Sequence, residues 1–211
     1  MAGAGLICVC GLLTFPRLAS AQTCEGFADF AGRPWQVGGS VTAGNGTPTG
    51  ALNVAVGGHA LFGGAEFDWI HFQDIDTSAP AVGGEFGVEL PAASGRVFVC
   101  PIVSVFRTFG PTFDGVTFRD LQTALSGNVG VVMIKNATVA VIPTASLAAV
   151  LDHASATAGS ESESDTSGFG VLALGVGLVF AHGVALVPSV QFPIHLDGAH
   201  PQGSVAFRVN F

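Results

Sequence analysis

The residues of this chain that could do chemistry are few and mostly acidic. Glu66, Asp68, Glu85 and Glu89 fall on two neighbouring stretches in which polar and apolar residues alternate, and Arg208 is the cation at a matching position near the end. Such a set makes either a cation-preferring constriction or an ion-paired, hydrated plug, since charges taken out of water need partners. Cys24 and Cys100 are the two cysteines beyond the first 21 residues, and in an oxidising compartment they are a disulfide candidate. Asp152, His153 and Ser155, or His195 with Asp197, supply nucleophile, base and acid types. Near neighbours on one stretch of chain do not hold the geometry of a triad, so no catalytic residue is assigned. Glu161, Glu163 and Asp165 lack the glycine and ligand spacing of a dedicated Ca²⁺ loop and read as a solvated acidic stretch. No metal and no cofactor is expected.

The elements that would position these groups have a period of two. Ten alternating segments are predicted, at 35–43, 51–62, 65–75, 81–90, 96–109, 120–134, 137–151, 168–181, 184–195 and 204–211. Gly63-Gly64, Lys135-Asn136 and His182-Gly183 read as two-residue hairpin turns. The stretches 110–119 and 152–167 read as long loops, the second being the most polar part of the chain. Gly168 to Val190 carries no charge and is long enough for a membrane helix. Its glycines, Pro188 and strict alternation of Leu172, Leu174, Val176, Leu178 and Phe180 favour strands.

Composition narrows the class further. The 211 residues have room for one domain, and 49% are hydrophobic against 10% charged. Residues 1–21 read as a secretory signal peptide: Leu6 to Phe15 is a ten-residue apolar run, and Ala19-Ser20-Ala21 offers small residues before a cut. Loss of Arg17 with the leader leaves six basic residues against fifteen acidic, a net of −9. That balance repels a phosphate backbone, so nucleic acid is excluded as a partner.

The closing residues, Ser204 to Phe211, put Val205, Phe207, Val209 and Phe211 on one face and Ser204, Ala206, Arg208 and Asn210 on the other. This ending resembles the last strand of small bacterial outer-membrane β-barrels of the OmpA, OmpX and OmpW kind. The resemblance implies an all-β fold, a closed antiparallel transmembrane barrel of ten strands with eight as the alternative count, after a leader at 1–21 and a periplasmic lead-in at 22–34. It also implies that Phe207, Val209 and Phe211 form the assembly signal read by the barrel assembly machinery, with outer-membrane lipid around the barrel and both termini in the periplasm. A disulfide between Cys24 and Cys100 would then tuck the lead-in under or into the barrel mouth.

The function these expectations point to is a non-enzymatic barrel with surface-exposed loops and a structural or surface-interaction role, its extracellular ligand unspecified. The alternative is a narrow cation-preferring channel or small-ligand carrier. A rim-located lipid A or peptide hydrolase comes third.

Overall fold

The computed structural model describes residues 23–28, 30, 33–44, 47–58, 60–93, 96–135, 138–196 and 198–211. The leader reading at 1–21 lies outside the described residues, as does Asp197. The strands are β1 (Trp35–Ala43), β2 (Thr49–Gly57), β3 (Leu61–Phe72), β4 (Thr77–Val88), β5 (Leu90–Ala92), β6 (Val97–Phe113), β7 (Val116–Val131), β8 (Ile134–Lys135), β9 (Val139–Ala158), β10 (Glu161–Phe180), β11 (Val184–Ile194) and β12 (Gln202–Asn210). Ten of them are long, and β5 and β8 are short pieces laid against β6 and β9.

Each long strand pairs antiparallel with the next, and β12 returns to pair with β1, from Gln36↔Asn210 to Ala43↔Gly203. The chain ends carry the seam one step further. Trp35 N–H donates to the Phe211 carbonyl (3.2 Å) and Phe211 N–H to that of Trp35 (3.0 Å). The sheet is therefore closed, and both ends of the barrel chain emerge at one end of it.

Alternation sorts the side chains into two environments. Around the barrel a band of outward positions is apolar and uncovered, among them Val41, Leu52, Phe86, Val103, Leu125 and Leu147, each more than half exposed. Inward positions are buried and include polar residues, such as Gln36, Asn53, Ser104, Asn128 and Arg208, beside apolar ones such as Phe62, Ile102 and Val150. This is an inside-out pattern for a protein in water, and the ordinary one for a barrel whose outer surface meets lipid.

Several boundaries differ from the expected ones. Gly63 and Gly64 form no turn; they lie within β3 opposite Phe86 and Glu85, and β3 already begins at Leu61, whose carbonyl accepts from Gly58 N–H (2.9 Å). A side chain at Gly64 would put its Cβ 3.1 Å from Glu85 Oε1, so space inside the barrel, not turn chemistry, explains the glycine. The link before β4 is a tight turn at Gln73–Asp76 closed by left-handed Asp76 (φ 44°).

The larger correction concerns the two stretches expected as loops. Residues 110–119 and 152–167 continue the strands, and only Asp114-Gly115 and Gly159-Ser160 turn. Asp114 and Gly115 both have positive φ (49° and 78°), as the favoured two-residue hairpin turn requires. A tilted strand of about ten residues crosses a bilayer, whereas β9 and β10 have 20 residues each. The upper parts of β6, β7, β9 and β10 thus rise beyond the apolar band as a four-stranded upright sheet, paired as β6–β7–β9–β10. Hydroxyls tie its outer face together: Thr112 to Thr117 (3.1 Å) and His153 Nδ1 to Thr166 (2.9 Å).

The two regions of β9 should respond oppositely to a charge. Leu147→Lys, on the lipid-facing side, is expected to cost about 2–4 kcal/mol, and Thr157→Lys, on the upright sheet, less than about 0.5 kcal/mol. Urea titration of folding into lipid vesicles measures both, and equal costs would contradict the placement of the apolar band.

Candidate functional site

The interior is organised by a segment outside the sheet. Thr23–Glu25 forms a single 3-10 turn inside the barrel, and the chain runs on past Phe27 and Ala28 to Phe30 and then to β1. Cys24 is joined to Cys100 of β6 by a disulfide, with Cα atoms 6.0 Å apart. The closed loop spans 76 residues, a restriction of the unfolded chain worth about 4 kcal/mol. Thr23 N–H donates to Glu89 Oε2 (3.2 Å). Ala28 accepts at its carbonyl from Gln36 Nε2 (2.9 Å) and Asn210 Nδ2 (3.4 Å).

Two glycines on the wall make room for this plug. A Cβ at Gly130 would lie 2.1 Å from the Thr23 carbonyl oxygen, and one at Gly177 would lie 2.0 Å from that of Gly26. Backbone rests on backbone at both places, which no other residue type allows. Phe30 packs with Phe62, Ile102 and the disulfide, and Phe27 with Ala185 and Val187.

Charge collects above the plug. Arg208, only 2% exposed, lays its guanidinium 4.3 Å from the centre of the Phe27 ring and donates through Nη1 to Gln36 Oε1 (3.5 Å). The carboxylates that act on it are Glu85, Glu66 and Glu25. Arg208, Gly38, Asn53, Glu66 and Gly83 form one inward row across β12, β1, β2, β3 and β4. Asn53 Nδ2 donates to Glu66 Oε2 (3.5 Å), and Asn128 Nδ2 donates to Glu25 Oε1. Burial pushes the Glu25 carboxyl up to about 8, against the pull of Arg208 and of the Asn128 amide. A cavity of about 90 Å³ lies among these groups.

Of the five lumenal residues expected from sequence, Glu66, Glu85 and Arg208 come together. Glu89 instead sits beside the disulfide and binds the plug, and Asp68 lies on the row above, opposite Ala51 and Ala81. All five face inward. Glu25, Phe27, Asn53 and Asn128 complete the cluster. Of these, Glu25 and Phe27 have no periodic signal, and their place follows only from the bond that fixes Cys24.

The triad-like residues are separated by the strand itself. Asp152 points inward and is 1% exposed, while His153, paired with Thr166, points outward. Ser155 shares the outer face of His153 and its Oγ donates to the Arg119 carbonyl (3.5 Å). Phe207 and Phe211 point outward, about half or more exposed, with Val209 between them on the same face.

No family model matches the chain, and no curated protein does. Among solved structures it is similar to Ail, the attachment invasion locus protein of Yersinia pestis, at 12% identity and a TM-score of 0.43, covering 84% of this chain and 97% of that one. A second is a chain from a study of in meso crystallisation of membrane proteins, at 10% identity and a TM-score of 0.35, covering 84% of each chain. The class rests on this chain's own register and surface. A closed ten-stranded antiparallel sheet with an apolar outer band and a filled interior is a transmembrane β-barrel of the small outer-membrane kind.

Removing the cation should expose how much the interior depends on it. Arg208→Met leaves buried carboxylates without their counter-charge and is expected to cost about 3–5 kcal/mol. The measurement is again urea-induced unfolding from vesicles. A loss under about 1 kcal/mol would mean that the carboxylates are balanced elsewhere.

Proposed function

We propose that the chain is a non-enzymatic bacterial outer-membrane barrel, with both termini in the periplasm, whose work is done outside the cell by the upright sheet. The observation that carries this reading is the asymmetry of the molecule. One end is filled by a disulfide-tethered plug, while at the other four strands rise beyond the apolar band. Outer-membrane barrels place short turns in the periplasm and their longer extensions outside, which supports the orientation. Lipid meets the apolar band, and the outward-facing Phe207, Val209 and Phe211 are where the assembly machinery would read the chain.

The upright sheet has the make-up of a contact surface. Its outer face is rich in Ser and Thr hydroxyls, and the edge strand β10 carries Glu161, Glu163 and Asp165 over its exposed length. Charges on an open edge oppose pairing with a like strand. They also favour a basic partner over an acidic one.

Trimming tests this directly. A barrel with 110–119 and 153–166 each replaced by a short turn should still insert and keep its heat-modifiable mobility, while cells carrying it lose the surface adhesion given by the full chain. Undiminished adhesion by the trimmed barrel would overturn the reading.

A narrow cation-preferring pathway or small-ligand carrier is the second reading, supported by the acidic cavity above the plug. It requires the plug to leave. The intact protein should be silent in planar bilayers, and a variant lacking residues 23–30 should show cation-selective conductance. Conductance by the intact protein would favour the second reading over the first.

A further inference from the structure

Several buried acceptors around the lumenal cavity have no hydrogen-bond partner, and neither does one donor, Arg208 Nε. Asn53 and Asn128 each turn the amide N–H₂ toward a carboxylate, Glu66 and Glu25 respectively. Each leaves its carbonyl oxygen, Oδ1, buried without a hydrogen-bond partner. Asn128 is 1% exposed and Asn53 7%. Glu25 Oε2 is in the same condition, and all three residues line the cavity. A buried oxygen left so costs about 1–3 kcal/mol, more when it is charged.

The carboxyl groups gather at the same place. The cation acting on Glu25 and on Glu85 is Arg208, and Arg208 is acted on by Glu25, Glu66 and Glu85. Three carboxyl groups thus face one guanidinium. Carboxylate and amide-carbonyl oxygens gathered from the plug, β2, β3 and β7 form the donor set of a hard cation. Ca²⁺ accepts six to eight oxygens in flexible geometry and keeps water for part of its shell, whereas Mg²⁺ demands a near-ideal octahedron. The cavity of about 90 Å³ has room for about six water-sized groups, enough for an ion and the waters that complete it.

We propose that the lumen binds one Ca²⁺ in this cavity, between the carboxylates of Glu25 on the plug and Glu66 on β3, with the carbonyl oxygens of Asn53 and Asn128 facing it directly or through water. The ion joins the plug to the wall. The exposed acidic stretch of β10 takes no part.

The test uses the full mature chain, refolded in detergent with its disulfide intact and stripped with EGTA. Equilibrium dialysis with radioactive Ca²⁺ up to about 1 mM, the range of extracellular Ca²⁺ modules, should show one ion per chain and a rise in Tm. Glu25→Gln and Asn128→Ala, each confirmed as folded by heat-modifiable mobility, should weaken binding about tenfold or more. The triple variant Glu161→Gln, Glu163→Gln, Asp165→Asn should bind as the unaltered chain does. If neither lumenal variant refolds, Asn53→Ala is expected to show the same loss. No binding at that concentration, unchanged affinity in the lumenal variants, or loss of binding in the triple variant would each overturn the proposal.

Discussion

Closure of the sheet is the constraint from which the rest of the molecule follows. Lipid offers no partner to an exposed N–H or C=O, so a membrane sheet must have no edge. The pairing of β1 with β12, extended by the mutual bonds of Trp35 and Phe211, meets that requirement. Once the sheet is closed, alternation is compulsory: one set of side chains meets lipid and the other meets the axis. Ten strands leave a lumen close to the size that side chains can fill. What they do not fill, residues 23–28 and Phe30 do, and Gly130 and Gly177 are the places where the wall yields to them.

The interior shows what such filling entails. Arg208 is buried between Phe27 and Gln36, and the carboxylates around it come from the plug as well as from β3 and β4. Desolvating four ionisable groups together is tolerable only when each finds a partner. Glu25 and Glu66 find amides on the wall, and the seat of Arg208 is completed by an aromatic ring of the plug. The plug is therefore part of the electrostatic structure as well as a stopper. Above the lipid the demands reverse, and the upright sheet is held by hydroxyl pairs and strand bonds with no need for an apolar face.

That reversal explains which features the sequence made legible. Inside and outside faces could be read wherever lipid enforces alternation, so Val205, Phe207, Val209 and Phe211 and the ten-strand count came through directly. The upper halves of β9 and β10 could not be read so, because a sheet in water needs no apolar row and Asp152 to Ser167 looks like any polar loop. Gly63-Gly64 misled for a related reason: glycine marks turns, but in a crowded lumen it also marks a neighbour's side chain. Glu66, Glu85 and Arg208 were visible as polar residues on inward faces. Glu25 and Phe27 lie in a stretch without period, and nothing short of the Cys24–Cys100 bond places them.

The central proposal is that this barrel crosses the outer membrane with its plugged end inward and its upright sheet outside. Single cysteines at Ser160, in the β9–β10 turn, and at Met133, exposed near the plugged end, test it in intact cells with a membrane-impermeant maleimide. The account predicts labelling of Ser160→Cys in intact cells and of Met133→Cys only after the outer membrane is breached. Labelling of Met133→Cys in intact cells, with Ser160→Cys protected, would contradict it.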